Sequence, residues 1–264
     1  MFLETTTDTP EINFSDPLII AIIIVGGLII LVSLFSMVIE IWLAIRYIKY
    51  NHKENSLGLS GKDAARKFLD DNDLQHIKVS ATGSLMFGNS YGHYFKKVRL
   101  RRLTYKKKSV TSLAMAAQKT ELAIMDKEQD PDMVRRVRLT PIVYFGPFAL
   151  IPLLLIGLLL DFLVFKSNGV CTIILTLVGV ALFIASFVLQ FMELKTEIKA
   201  QKRCYELLKK EGASEEDIEL MHDLFRLYNI EYINNIILSI LEVIWRILIL
   251  ILRAREGNSN SSKN

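Results

Sequence analysis

The sequence predicts an integral membrane protein of mainly α class, a bundle of three to four transmembrane helices bearing a small cytoplasmic α+β domain. Three observations predict it. First, 51% of the 264 residues are hydrophobic and 23% are charged, so the chain has the apolar surface that a disordered polymer lacks. Second, the apolar residues are bunched. Leu18 to Ile39, Pro141 to Leu160 and Ser167 to Met192 hold 22, 20 and 26 residues without a charge. About 20 apolar residues span a bilayer core, which excludes an ordinary soluble globule. Third, charge is divided by segment. Residues 1–45 carry five acids and no Lys or Arg, whereas residues 46–140 carry 20 Lys or Arg against 10 acids. The positive-inside rule then puts residues 46–140 in the cytoplasm and the N-terminus outside.

Residues 1–17 are read as an extracellular tail. Glu4, Asp8, Glu11 and Asp16 are acidic where a signal peptide is basic. Residues 18–45 form the first span, running inward, with Gly26 and Gly27 available for close helix packing. Residues 46–140 are the cytoplasmic domain. Ser60 and Asp63 read as a capping box, followed by Ala64, Ala65, Phe68 and Leu69 at helical spacing, with Asn72 and Asp73 ending the helix. Ile77 to Ser80 and Val98 to Leu103 alternate like short strands, with turns at Gly83, Gly88, Asn89 and Gly92. Val110 to Met125 reads as a mostly apolar helix rich in alanine.

Residues 141–192 read as a transmembrane hairpin with an outer loop near Lys166 and Asn168 and with Asp161 at the outer interface. Residues 193–229 return to the cytoplasm with seven Lys or Arg, and Ser214 with Asp217 opens a further helix. The stretch 230–253 contains Glu231, Glu242 and Arg246. Glu242 and Arg246 stand in the favourable order for an i,i+4 ion pair. A fourth span facing partner helices is the first reading and an interfacial helix the second. A fourth span would place Arg253 and Arg255 outside, against the charge rule. Residues 254–264 are polar and read as a disordered tail. Cys171 and Cys204 fall on opposite sides of the membrane in this topology, so both are expected as thiols.

From Leu57 to Leu252 the chain resembles the YugP-like bacterial membrane zinc metallopeptidases. The resemblance is carried by elements in the family's order: Ser60, Gly61, Ala64 and Ala65; the basic strand Lys96, Lys97, Val98, Arg99 and Leu100; Ala114, Ala116 and Ala117; Pro131 and Arg135 before Val-Arg-Leu-Thr-Pro; then Glu197, Ala200 and Arg203; and Glu211, Gly212, Glu215 and Glu216 before the terminal helix. It implies a zincin-like cytoplasmic domain, completed by residues 193–229, in a bacterial cell membrane of Gram-positive type.

The family's His-Glu-x-x-His follows the Ala-rich start, its two His holding zinc and its Glu acting as base. Here the run is Gln118, Lys119, Thr120, Glu121, Leu122. Gln118 and Leu122 occupy the His positions and Lys119 that of the base, while the resemblance leaves Glu197 as the retained third-ligand position. Leucine gives a metal no lone pair, glutamine only a neutral amide, and an ammonium accepts no proton. Zinc hydrolase chemistry is therefore not expected, and no cofactor is. Lys119 can take the place of the metal charge and pair with Glu197, since a buried unpaired carboxylate is costly. The alternative is that both point into water.

His52, His76, His93 and His222 are scattered, and His93 alone lies near the strand that faces substrate in the family. Lys96, Lys97, Arg99, Arg101, Arg102, Lys106, Lys107 and Lys108 form a basic run suited to anionic lipid or simple solvation. Nothing supports nucleic-acid binding, and there is no phosphate-binding Gly loop or nucleophile elbow. The expected function is an inactive homologue, a pseudopeptidase binding or regulating another membrane protein, or acting as a homo-oligomer. One alternative is an enzyme with an altered or partner-completed zinc site. Another is a structural, lipid-contacting membrane protein.

Overall fold

The computed structural model describes residues 15–83, 88–165 and 169–261. The N-terminal tail up to residue 14 and the outer loop at Lys166 and Asn168 lie outside them. Among the described residues there are two compact units, one of residues 15–38 with 234–261 and one within residues 39–233.

In the first unit, the start of helix α1 (Pro17–His52) lies along the end of α7 (Glu215–Ser261). Arg255 pairs with Asp16. Gly26 faces the Trp245 indole, whose Nε1 lies 3.6 Å from where a Cβ would be. Asn234 donates to the Ser36 hydroxyl. As the α1 number rises the α7 number falls by nearly the same step, which is the register of an antiparallel helix pair. Glu242 and Arg246 approach to 3.9 Å on the same helix. The helix continues to Ser261, through residues whose composition reads as a polar tail.

The second unit is built around α4 (Val110–Lys127), with α2 (Gly61–Asp70), β1 (Lys78–Thr82), β2 (Ser90–Gly92), β3 (Lys97–Arg101), α3 (Arg102–Lys106), α5 (Pro131–Leu159) and α6 (Val170–Lys210). Every residue of α4 from Val110 to Asp126 is buried. Alanine suits this position, combining high helix propensity with a small side chain on all faces. Ser109 starts the helix by accepting from Ser112 N at 3.1 Å. Ser60 caps α2 in the same way, accepting from Asp63 N at 3.2 Å. Gly61 has no room for a Cβ, which would meet the Thr104 carbonyl oxygen at 2.1 Å. Ser214 accepts from Asp217 N at 3.2 Å, while the Asp217 carboxylate accepts from Ser56 N at 2.6 Å and ties α7 to the loop after α1.

The sheet order is β1-β3-β2, with β1 parallel and β2 antiparallel to β3. Val98 and Leu100 are fully buried, so Lys97, Arg99 and Arg101 share the opposite face. β3 ends earlier than the expected strand Val98 to Leu103, because Arg102 begins α3. Its apolar member Leu103 is 58% exposed.

Among the described residues three helices, Pro17–His52, Val170–Lys210 and Glu215–Arg253, are long and apolar enough to cross a membrane. A fourth crossing exists if the bent pair Pro131–Gly146 and Phe148–Val164 is one span. That pair departs from a straight span by 64°, where Pro147 lacks the N–H that would continue the helical ladder. α5 and α6 approach closely through glycine: a Cβ on Gly157 would sit 2.6 Å from Thr172 Cα. Asp161, beyond α5 in a π-helical turn (Leu160–Phe165), accepts from Cys171 N at 3.0 Å and Thr172 N at 2.8 Å. A carboxylate at the far end of an apolar hairpin is thus used to satisfy the first orphan donors of α6.

Candidate functional site

Gln118, Leu122 and Asp126 follow at i,i+4 spacing and share one face of α4. Each meets a different neighbour, and together they line the helix where the family resemblance places the metal motif.

At the first level the carboxylate of Glu197, on α6, is enclosed by two hydrogen-bond donors and a further cation. Lys119 Nζ donates to Glu197 Oε2 at 2.8 Å and Gln118 Nε2 to the same oxygen at 2.9 Å. Arg136 Nη1, from α5, stands 2.8 Å from Oε1. Lys119 is 9% exposed and Gln118 5%. Two cations therefore meet one carboxylate, and both of its oxygens are engaged. Bringing these groups out of water is repaid only by such direct, hydrogen-bonded contacts.

One turn on, Leu122 packs with Met125, Met133 and Ala200 in a small apolar cluster of its own. Ala200 is one turn beyond Glu197 on α6, so hydrocarbon closes the space beside the ion cluster. A polar ligand side chain at this position would have to be accommodated within that apolar cluster.

Another turn on, Asp126 accepts from Tyr91 Oη at 2.6 Å and Lys96 Nζ at 3.0 Å, and His93 Nδ1 lies 2.8 Å from its oxygens. His93 thus meets α4 at Asp126. Burial pushes the Asp126 carboxyl up, but the Tyr91, His93 and Lys96 contacts outweigh it and hold the group below the usual 3.8. A depressed folded-state pKa stabilises the fold fully above about pH 4, and this contribution is lost as pH falls through the lower folded value. Asp126→Asn should cost about 1.5–3 kcal/mol at pH 7, the range for hydrogen bonds to charged groups. It should also flatten the acid side of the stability profile. Denaturation at pH 7 and pH 3 checks this, and an unchanged acid slope would count against it.

A separate clamp lies on another side of α4. Arg203 Nε donates to Glu121 at 3.0 Å, and its two terminal nitrogens meet Glu128 at 2.6 and 2.9 Å. Burial pushes the Glu121 carboxyl up despite Arg203. Farther along, Lys199 reaches Asp130 at 2.6 Å, and Lys195 reaches Asp132 at 3.1 Å. These pairs tie α6 to α4 and to the start of α5.

The remaining histidines are apart from this face. His52 and His76 are exposed, and His222 lies beside Tyr205, ring centres 5.7 Å apart. In the basic run, Lys97, Arg99 and Arg101 lie on β3, and Arg102 and Lys106 on α3. Lys96 is committed to Asp126, Arg99 lies 5.3 Å over the Phe95 ring, and Lys107 Nζ reaches the Asn51 carbonyl at 3.5 Å. Lys108 is exposed.

The donor set does not suit zinc. A catalytic zinc takes three His, Cys or carboxylate ligands and keeps one open position. Gln118 supplies an amide, Leu122 nothing and Lys119 a positive charge, and the two oxygens of Glu197 already face cations. Among the described residues no three His, Cys, Asp or Glu side chains converge to hold a metal ion.

Arg136 is the member of the cluster that sequence reasoning missed. It stands in a run of arginines, Arg135, Arg136 and Arg138, that reads as membrane-flanking positive charge. The available signal was its place five residues before the apolar stretch, where an arginine is half inside the fold. Asp126 was missed too, although it completes the 118, 122, 126 spacing.

The family model described as "Putative neutral zinc metallopeptidase" matches residues 23–252. "Putative membrane protease YugP" of Bacillus subtilis (strain 168) is 25% identical over 211 residues, which cover 80% of this chain and 88% of that protein. No solved structure matches the chain.

Proposed function

The chain belongs to the neutral zinc metallopeptidase family, and from that premise we propose that it is a member whose zinc centre has been exchanged for an ion cluster. It is then a pseudopeptidase, which uses the retained scaffold to bind or regulate another membrane protein or a second copy of itself. One observation supports this most: Glu197 is shared between Lys119 and Arg136 at 2.8 Å each. The cations supply the positive charge that zinc supplies to such a carboxylate. They supply neither a Lewis acid nor a bound water to activate. The leucine at the second motif position supports the same reading, because it is buried in an apolar cluster with Met125, Met133 and Ala200.

The topology proposed with it has the N-terminus outside and residues 46–140 and 193–229 in the cytoplasm. Charge asymmetry supports that orientation. The antiparallel register of α1 and α7 supports a full fourth crossing over residues 230–253. It also accounts for Arg255 on the outer side, since Asp16 pairs with it. The outward face of β3 then lies where it can touch anionic headgroups.

Metal content tests the proposal. Full-length protein, solubilised in detergent and washed with a mild chelator, should hold less than about a tenth of a zinc per chain by elemental mass spectrometry, because a three-ligand site is needed for retention. Close to one zinc per chain, lost on Glu197→Ala, would overturn it.

A further inference from the structure

A cleft of about 430 Å³ lies apart from the ion cluster, lined by Glu40, Leu43, Ala44, Tyr47, Ile48, Arg101, Tyr228 and Glu231. We propose that it binds the headgroup of an aminophospholipid, with the ammonium between Glu40 and Glu231 and the phosphate on Arg101.

The lining follows from helical periodicity. Glu40, Leu43, Ala44, Tyr47 and Ile48 recur at three and four residues and form one face of α1, while Tyr228 and Glu231 form one face of α7. Arg101 enters from the end of β3. The cleft therefore has acid on the two helices and base on the sheet. Among the described residues neither Glu40 nor Glu231 forms an ion pair with a lysine or arginine. The carboxylates outnumber the guanidinium two to one, so a ligand with a single negative charge is disfavoured and one that brings a cation is favoured. A primary ammonium offers three N–H donors to two carboxylates, and a phosphate fits the planar guanidinium. The rings of Tyr47 and Tyr228 line the same space and favour a cation.

Position selects a lipid as the source of this zwitterion. Glu40 is the first charge after the charge-free run that ends at Ile39, and Glu231 stands at the opening of the last apolar stretch. Both lie at headgroup height if α1 crosses the bilayer, and the inference rests on that crossing but not on the loss of zinc. Beside them Trp42 and Ile45 are exposed, and Ile48, within the cleft, is 57% exposed. They offer an indole at interface depth and a branched apolar strip for acyl chains.

The test is native mass spectrometry of the delipidated full chain with synthetic phosphatidylethanolamine, phosphatidylcholine or phosphatidylglycerol added in turn. The wild type should retain phosphatidylethanolamine about tenfold better than phosphatidylcholine, which has no N–H to donate. Glu40→Gln with Glu231→Gln should abolish that preference, and Glu40→Asp with Glu231→Asp should keep it. Arg101→Gln, at an exposed position that the fold tolerates, should lower phosphatidylethanolamine retention severalfold and gives a readout even if the double variant does not fold. Equal retention of phosphatidylethanolamine in every variant would overturn the site. So would a preference for phosphatidylglycerol, which would assign lipid binding to the basic strand. A photocrosslinker placed at Ile48 should label lipid, and labelling of protein alone would mean that the cleft docks a basic peptide segment. Extraction of the wild type by alkaline carbonate would instead sink the membrane crossing itself, a failure distinct from the others.

Discussion

Glu197→Gln should destabilise the protein by about 3–5 kcal/mol, the range for removing one partner of a buried ion pair. The substitution keeps the shape but removes the charge and turns one of the two acceptor oxygens into an NH2 donor that faces another donor. It leaves Lys119 and Arg136 mutually repulsive, with side chains only 11% and 21% exposed. Lys119→Met should cost less, because Arg136 still neutralises the carboxylate. The double change Lys119→Met with Glu197→Gln should recover part of the loss, since one stranded cation is then gone. The difference between the double variant and the sum of the singles measures the coupling within the cluster. Reversible unfolding in detergent, followed by helical circular dichroism, is the measurement. A loss below about 0.5 kcal/mol for Glu197→Gln, the scale of an ordinary surface substitution, would show that water already screens the cluster.

The two kinds of information in the sequence differ in how far they reach. Apolar runs and caps are local, and they were legible. Leu18 to Ile39 lies within α1, Ser60 and Ser214 each accept a hydrogen bond from an amide of a helix start, and two strands of the small sheet lie where the alternation places them, whereas β2 occupies residues that read as a turn. The family was legible too, because its short elements recur in order along most of the chain. Features that need two distant segments were less so. Arg136 and Glu197 are 61 positions apart in sequence and meet only because α5 and α6 pack as a hairpin. His93 is an unremarkable turn residue until β2 is laid against the end of α4, where Asp126 waits. Asp161 reads as an interface residue until α6 returns and presents its unpaired amides. The strand at Val98 was overextended by two residues because the alternation of Leu103 mimics a strand that α3 has already replaced. The 64° bend in α5 was also unread, although Pro147 stood in the middle of the apolar run.

If the cluster is a converted metal centre, the conversion should run backwards. Gln118→His, Lys119→Glu and Leu122→His together should raise zinc from trace levels to about one per chain, since two His and one carboxylate are an established ligand set. The geometry favours this at two points. The end of the Gln118 side chain is already 2.9 Å from Glu197 Oε2, so a ring nitrogen from the same position starts near the shared site. Removing Lys119 frees that oxygen, while Arg136 remains on the other one. The third point opposes it. Leu122 is 1% exposed among Met125, Met133 and Ala200, so a histidine there without metal buries an unsatisfied ring and should cost about 1–3 kcal/mol. The triple variant is therefore expected to be less stable than the natural chain in chelator and to regain stability when zinc is added, because metal binding to the native state alone shifts the folding equilibrium. The single change Leu122→His should show the loss without the recovery. Zinc titration followed by elemental analysis and thermal unfolding separates the outcomes. A triple variant that folds, takes no zinc and is not stabilised by it would mean that the scaffold around Glu197 has closed beyond the reach of its old ligand positions, and that its present geometry has been shaped for the ion cluster alone.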